Sequence, residues 1–194
     1  MASSINNSKL FKYQFLLLKN YFKTGIKKFL TKRGIIKDNR FDDVVVISYP
    51  KSGRTWLRVM LDFLGIELTY EHDAAKVLYD ANNDFGKSDI DISKYSNRRV
   101  IYLIRDPRDV VVSSYFQAVN RQQIFNGTMS EFIRDEKFGI RKILLFQSEW
   151  LKNKDIPADF LLMKYESMNE QPEQEFKKVL DFLNAQNISN KKIK

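Results

Sequence analysis

A short run of β-branched residues that leads directly into a glycine-containing turn constrains the fold most. Residues 44–48 read Val-Val-Val-Ile-Ser, and residues 50–53 read Pro-Lys-Ser-Gly. A strand without polar alternation is typical of a parallel sheet that is buried on both faces. Apolar residues then recur at helical spacing from Trp56 to Leu64, and Gly65 ends the pattern. The sequence therefore predicts a buried strand, a tight turn and a helix, in that order.

Strands and helices continue to alternate along the rest of the chain. Three more segments have the composition of short strands: residues 66–70, 100–104 and 160–163. Four helices are predicted from caps and apolar spacing: residues 106–123, a helix after the Thr128–Glu131 capping box, residues 140–152, and a helix from Pro172. This alternation predicts an α/β fold of three layers, in which a parallel central sheet has helices on both faces.

The carboxyl ends of the predicted strands are where a ligand is expected. In open parallel α/β sheets, ligands bind in the crevice outside these ends. The four segments concerned are residues 49–55, 70–73, 105–109 and 164–166.

The first strand end has the composition of an anion-binding loop. Gly53 allows the backbone to approach a ligand closely, and the first amides of the following helix are unpaired donors. Lys51 adds a positive charge, while Ser52 and Thr55 add hydroxyl donors. In the nucleoside-triphosphate loop G-x-x-x-x-G-K-[ST] the lysine follows the second glycine, whereas Lys51 precedes Gly53 here. A nucleotide kinase of that class is therefore a poor match.

The third strand end supplies a second anion-binding group. Arg105 follows the strand directly, and Ser113 lies two helical turns further along the chain. An arginine fork binds a phosphate through two parallel hydrogen bonds, and a nearby serine hydroxyl donates to the same anion. Asp106 and Asp109 are interpreted as helix-capping residues, and Arg108 as one partner of a surface ion pair.

These segments resemble the sulfotransferase family. Residues 49–56, Tyr-Pro-Lys-Ser-Gly-Arg-Thr-Trp, are similar to its 5′-phosphosulfate loop, and residues 101–115 are similar to its 3′-phosphate motif. Residues 164–166, Lys-Tyr-Glu, together with Pro172 and the Phe-Leu pair that follows, resemble a later strand end and helix of the family. The likeness covers residues 43–184 and implies the P-loop-NTPase-like fold of that family.

The resemblance also implies a role for each matching residue. The donor would be 3′-phosphoadenosine 5′-phosphosulfate, abbreviated PAPS, and no metal would be needed. Lys51 would hold the bridging oxygen and stabilise charge on the leaving phosphate. The other implied donor contacts are Ser52, Gly53, Arg54 and Thr55 to the 5′-phosphate, Arg105 and Ser113 to the 3′-phosphate, and Trp56 and Tyr165 to adenine. Core packing for Trp56 and a surface position for Tyr165 stay open as alternatives.

Sulfuryl transfer to a hydroxyl requires a base that takes the acceptor proton. Histidine is the side chain best suited to proton exchange near neutral pH, and His72 lies at the second strand end. The family uses a histidine in its small-molecule branch and a glutamate in several glycan-modifying branches, although His72 lies earlier relative to Arg105 than that histidine does. His72 is the candidate base, with Glu71, Asp73 or none of the three as alternatives.

The composition excludes several other chemistries. The chain has 194 residues, no cysteine and one histidine, so disulfides, thiolate metal sites and cysteine nucleophiles are excluded and a histidine metal cluster is not expected. A length of 194 residues with 43% hydrophobic side chains is enough for one globular domain. The lack of cysteine fits a reducing compartment, and the predicted location is cytoplasmic.

The net charge of +9 is concentrated at the start of the chain. Residues 1–40 contain ten Lys or Arg and a single acidic residue, whereas residues 41–194 contain 23 side chains of each sign. The domain at 41–194 is therefore not expected to bind nucleic acid. Residues 8–30 fit a basic amphipathic helix whose apolar run is too short to cross a bilayer. A helix packed on the domain, a peripheral membrane contact and a transit peptide are the open alternatives for this arm.

The predicted activity is transfer of a sulfuryl group from PAPS to a hydroxyl or amine of a small-molecule, lipid or glycan acceptor. The acceptor is expected to bind variable loops, residues 73–98 and 117–140. The family's C-terminal Arg-Lys-Gly loop, which closes over the 3′-phosphate, has no counterpart after Tyr165. The domain is thus expected to be C-terminally short. A nucleotide kinase and a catalytically impaired PAPS-binding remnant are the competing hypotheses.

Overall fold

A computed structural model describes residues 41–64, 66–72 and 90–185, all of which belong to the compact unit Arg40–Lys194. The elements in chain order are β1 (Val44–Ser48), α1 (Arg54–Leu64), β2 (Thr69–Glu71), β3 (Arg99–Ile104), α2 (Pro107–Phe116), α3 (Met129–Arg134), α4 (Ile140–Lys152), β4 (Asp159–Lys164), α5 (Tyr165–Glu170) and α6 (Pro172–Phe182). A 3₁₀ turn, Ser93–Tyr95, precedes β3, and a π-helical segment, Gln117–Gln122, continues α2. The basic arm at 1–40 and its predicted helix at 8–30 lie outside the described residues.

The described strands form a parallel sheet in the order β2-β1-β3-β4. Val46 of β1 pairs with Tyr70 on one side and Ile101 on the other, so β1 is an interior strand. All five residues of β1 are buried, as its uninterrupted apolar run predicted. The chain leaves β1 toward β2 and then crosses to the opposite side of β1 to form β3. This reversal creates a crevice at the carboxyl ends of β1 and β3, where α/β sheets bind ligands.

Helices cover both faces of the sheet, which confirms the predicted three-layer α/β fold. Alternate β1 residues face opposite cores, because successive side chains of a strand point in opposite directions. The core on the α2, α3 and α4 side contains Val45, Ile47, Val111, Phe132, Ile143, Phe146 and Trp150. The core on the α1, α5 and α6 side contains Val44, Val46, Leu57, Leu61, Met168, Val179 and Leu180.

Two element boundaries and one helix differ clearly from the sequence prediction. The helix predicted to reach Gln123 is α-helical only to Phe116 and then widens to a π-helix, a change of period that six residues of sequence do not reveal. β2 begins at Thr69 rather than at residue 66, since only Thr69–Glu71 pair with β1. The short helix α5 was not predicted at all. No helix in the described ranges is both long and apolar enough to cross a bilayer.

The capping box at the start of α3 was predicted and is confirmed. The Thr128 hydroxyl accepts a hydrogen bond from the Glu131 amide at 3.3 Å, and the Thr128 amide donates to the Glu131 carboxylate at 2.7 Å. We expect Thr128→Ala to lower the free energy of unfolding by about 1 kcal/mol, because it leaves a helix-terminal amide without its acceptor. Urea titration measures the change. Thr128→Ser retains the oxygen and should match the parent, so an equal loss in both variants would contradict this account.

Candidate functional site

The carboxyl ends of β1, β2 and β3 open onto one cleft of about 350 Å³. Its lining residues are Pro50, Lys51, Gly53, Arg54, Thr55, His72, Arg105, Ser113 and Gln117. Seven of the ten site residues predicted from the sequence therefore meet here. Three lining side chains are cationic and none of these nine residues is a carboxylate, so the cleft is suited to an anion.

The loop between β1 and α1 has a backbone that few sequences tolerate. Lys51 has φ +72° and Gly53 has φ +91°, so both lie in the left-handed region. Non-glycine residues rarely adopt this conformation, and such strain is concentrated at ligand-binding loops. The Ser52 amide donates to the Tyr49 carbonyl at 3.3 Å, and the Trp56 amide donates to the Gly53 carbonyl at 2.9 Å. These bonds hold the loop in a tight turn at the start of α1.

Glycine is also required at position 53 because the ring of Tyr165 leaves no space for a side chain there. A Cβ atom at position 53 would lie 2.2 Å from Cδ2 of Tyr165, far inside van der Waals contact. The ring is brought there because β4 ends beside β3 and α5 begins at Tyr165. Tyr165 thus packs on the loop, although it does not line the cleft itself.

Arg105 connects the two segments that the sequence predicted to bind anions. Its Nη1 donates to the Lys51 carbonyl at 3.2 Å, and its Nη2 lies 3.4 Å from an Asp109 carboxylate oxygen. The guanidinium carbon is 4.5 Å from the centre of the Tyr165 ring, a cation–π contact. Gln147 donates to the Arg105 carbonyl at 2.8 Å and so fixes the backbone. Within the described structure the Nε atom of Arg105 is buried and has no hydrogen-bond partner.

The neighbouring residues of this strand end have structural roles. Asp106 caps α2 by accepting from the Arg108 amide at 2.9 Å, as predicted. Arg108 is 82% exposed and pairs with Asp106 at 2.5 Å, the surface ion pair that the sequence suggested. This contact with Arg108 lowers the pKa of Asp106 to about 2. The Asp106 amide donates to Glu166 at 2.8 Å, which ties β3 to the start of α5.

Besides Tyr165, two predicted donor-binding residues do not line the cleft. The Ser52 side chain is only 1% exposed, and within the described residues its Oγ atom has no hydrogen-bond partner. Trp56 is half-buried and packs against the core on the α1 side of the sheet. For Trp56, the core-packing alternative therefore describes its surroundings in this structure.

The second strand end separates the candidate bases. His72 lines the cleft, and its Nδ1 lies 2.8 Å from the Ser48 carbonyl oxygen. A carbonyl only accepts, so Nδ1 carries the proton and the neutral ring has its lone pair on Nε2. Glu71 instead accepts from the Tyr95 hydroxyl at 2.7 Å and from Arg98 at 3.3 Å, and it does not line the cleft. Asp73 lies outside the described residues.

Burial and neighbouring cations disfavour the charged forms of Lys51 and Arg54. Burial lowers the pKa of Lys51, and the nearby Arg121 and Arg105 guanidinium groups lower it further. Burial, followed by Arg58, likewise lowers the pKa of Arg54. An anion in the cleft would offset these unfavourable interactions, because it stabilises the charged form of each group.

Gln117 also lines the cleft but was not among the ten site residues predicted from the sequence. Its Oε1 atom accepts from Lys51 Nζ at 3.4 Å, which places it at the centre of the predicted site. The available signal was its spacing, four residues after Ser113 on the same helix. That signal was too weak to use, since a polar residue on a helix is usually exposed to solvent.

The sequence of this chain also matches a known protein family. The family model described as "Sulfotransferase domain" matches residues 92–193, slightly more than half of the chain. The chain belongs to the sulfotransferase family. The match includes β3, Arg105 and Ser113 but begins after the loop at 49–56. The predicted P-loop-like sulfotransferase fold is accordingly confirmed by the family together with the parallel sheet.

The sequences of curated sulfotransferases are similar to most of this chain. Sulfotransferase 2A2 of Rattus norvegicus is 25% identical over 87% of this chain and 66% of its own length. Flavonol 3-sulfotransferase of Flaveria bidentis is 26% identical over 73% of this chain and 56% of its own length. Sulfotransferase 1E1 of Bos taurus is 29% identical over 74% of this chain and 59% of its own length. This chain thus spans 56–66% of the length of these relatives.

A solved structure is also similar to this chain. It is mouse sulfotransferase SULT7A1 complexed with PAP, which is 18% identical and superposes with a TM-score of 0.49. The superposition covers 78% of this chain and 64% of that one.

Proposed function

We propose that this chain transfers a sulfuryl group from PAPS to a hydroxyl or amine of a small-molecule acceptor. The observation that carries the proposal is the meeting of two anion-binding segments in one cleft. Arg105 at the end of β3 is joined to the Lys51 carbonyl of the β1 loop at 3.2 Å. A donor with two separate phosphate positions requires two such segments. Membership of the sulfotransferase family and the flavonol named for one relative support this choice of reaction and acceptor class.

The residues present fit the donor. Lys51, Arg54 and the first amides of α1 would hold the 5′-phosphosulfate, together with Gly53, Ser52 and Thr55. Arg105 and Ser113 would hold the 3′-phosphate. Arg105 Nε is buried and has no partner among the described residues, as expected of a group that awaits a ligand. Tyr165, whose ring packs on Arg105 and Gly53, would contact adenine, with Trp56 as the second candidate.

Each reacting role falls to a residue with suitable geometry. When bound, PAPS supplies an activated sulfuryl group. Lys51 neutralises the charge that develops on the bridging oxygen, in a cleft where burial strengthens electrostatic interactions. His72 accepts the acceptor proton on Nε2, and the Ser48 carbonyl stabilises the resulting imidazolium through Nδ1–H. Positioning and electrostatics therefore provide the catalysis, with Lys51 assigned to the leaving group and His72 to the acceptor.

The test is turnover with a panel of phenols, flavonols and aliphatic alcohols, with PAPS as donor and mass spectrometry of the products. The proposal predicts a sulfated product from at least one acceptor and release of adenosine 3′,5′-bisphosphate. Binding of the bisphosphate without product from any acceptor would contradict an enzymatic role and favour a PAPS-binding protein.

Arg105 is expected to read the 3′-phosphate. We expect Arg105→Ala to weaken adenosine 3′,5′-bisphosphate binding by about 10- to 100-fold, the value of one hydrogen-bonded ion contact. Binding of adenosine 5′-monophosphate, which lacks the 3′-phosphate, should change far less. Calorimetric titration of both ligands gives the comparison. The matched control is Arg141→Ala, because Arg141 is an exposed residue of α4. Equal loss for the two nucleotides would show that Arg105 does not contact the 3′-phosphate.

Contact of residues 8–30 with an anionic membrane surface is a separate part of the proposal. It rests on the ten basic side chains within residues 1–40. We expect the full chain to float with vesicles that contain anionic lipid, and Lys19→Glu with Lys23→Glu to reduce that fraction. Equal flotation of both proteins would contradict membrane contact through this arm.

A further inference from the structure

Gln117 occupies an unusual position between two cations of the cleft. It is the first residue of the π-helical segment, and its Oε1 atom accepts from Lys51 Nζ and from Arg121 Nη1, each at 3.4 Å. Its side chain lines the cleft one helical turn after Ser113. π-Helical turns are rare and occur frequently at functional sites, where they re-aim side chains.

The Lys51 ammonium is held in place mainly through this contact. Among the residues that the structure describes, Gln117 is the sole hydrogen-bond acceptor within reach of Lys51 Nζ. A lysine side chain has four rotatable bonds and loses considerable entropy when it is fixed. A single neutral acceptor at 3.4 Å therefore restricts the ammonium without holding it strongly.

We propose that Gln117 is a positioning residue that orients the Lys51 ammonium in the cleft before the donor binds. The inference deepens the proposed function and rests on it, since it assigns a purpose to the orientation of Lys51. A lysine that is already oriented reaches the bridging oxygen of the donor with less reorganisation. This lowers the activation barrier of sulfuryl transfer rather than the energy of the enzyme–donor complex.

The neutrality of the amide matters as much as its position. The charged and titratable groups around Lys51 are Arg121 from the π-helical segment, Arg105 from β3, Arg54 from α1 and His72 after β2. A carboxylate at position 117 would neutralise part of this field and hold Lys51 in an ion pair. The anionic donor would then have to break that pair. Glutamine supplies an acceptor without competing for the positive charge.

Two variants of similar shape separate these effects. Gln117→Met removes the acceptor, and Gln117→Glu replaces it with a charged one. Gln122→Met is the matched control, because Gln122 lies on the same π-helical segment and does not line the cleft. All three are compared with the parent for thermal stability, so that a folding defect is seen directly.

The first readout does not depend on turnover. The rate at which acetic anhydride labels Lys51 is followed against pH in the donor-free protein by peptide mass spectrometry. The amide oxygen stabilises the protonated amine more than the neutral amine, so its removal in Gln117→Met should lower the labelling midpoint, and Gln117→Glu should raise it. The Gln122→Met profile should match the parent. Identical profiles in all four proteins would overturn the proposal.

The second readout is catalytic. Gln117→Met should lower kcat about tenfold, the lower end of a hydrogen bond to a charged group, while the Kd for adenosine 3′,5′-bisphosphate stays within about twofold. Gln117→Glu should weaken bisphosphate binding by about tenfold through repulsion and ion pairing. An unchanged kcat in Gln117→Met would contradict the positioning role. If the parent shows no turnover but the labelling profiles shift as stated, the proposed reaction fails while the orientation of Lys51 by Gln117 stands.

Discussion

Lys51→Ala is expected to lower kcat by about 100- to 1,000-fold, the usual cost of removing one preorganised group that stabilises developing charge. The lysine lies in a loop whose left-handed backbone, with φ +72° at Lys51, fixes the start of its side chain. Alanine retains Cβ and leaves the strain of that backbone unchanged. The loss should therefore come from the missing ammonium and appear mainly in kcat.

Single-turnover kinetics with PAPS at saturation separates this loss from donor affinity. Lys177 is an exposed residue of α6, so Lys177→Ala is the matched control and should behave as the parent. Lys51→Arg keeps the charge but changes its shape, and it should recover only part of the rate. A Lys51→Ala variant with near-parental kcat and a raised KM alone would show that Lys51 binds the donor without assisting the transfer.

His72→Asn is expected to lower kcat by about 100- to 10,000-fold, the range for a lost general base. An asparagine Nδ2 replaces the imidazole Nδ1 as donor to the Ser48 carbonyl, which His72 contacts at 2.8 Å. The local structure should thus persist while the Nε2 lone pair is lost. Donor affinity should stay near that of the parent, because His72 is proposed to face the acceptor.

Glu71→Gln tests the rival base at the preceding position. The Glu71 carboxylate is engaged by Tyr95 and Arg98, so this change should reduce stability more than rate. We expect pre-steady-state rates of the two variants to differ widely. A large loss in Glu71→Gln together with a small loss in His72→Asn would reverse the assignment.

The sequence predicted the sheet and the anion-binding loop because both depend on local chemistry. An uninterrupted β-branched run at 44–48 has few outcomes other than a buried parallel strand, and the structure buries all five residues. Likewise, Asp106 followed by a proline identifies a helix start without reference to the rest of the chain. Because β1 and β3 are neighbouring strands, Lys51 and Arg105 lie close together at their carboxyl ends. This could be predicted because α/β sheets bind ligands at that edge.

The remaining features depend on contacts between distant segments, which a local pattern does not encode. Nothing near Gly53 in the sequence indicates that the ring of Tyr165 would meet its missing Cβ. The contact of Gln117 with Lys51 spans 66 residues and requires a π-helical turn that has no sequence signature. The burial of Ser52 was not predicted either, because a serine in an anion-binding loop is expected to face the ligand.

The most direct test of the donor site is a thermal-stability titration of the full chain with adenosine 3′,5′-bisphosphate and, separately, with ATP and Mg²⁺. Ligands that bind the folded state raise the melting temperature, and the rise grows with the ratio of free ligand to Kd. We expect a clear rise with the bisphosphate that grows with its concentration and is greatly reduced in Arg105→Ala, and a smaller rise with ATP and Mg²⁺. A preference for ATP and Mg²⁺, or no rise with the bisphosphate, would contradict it.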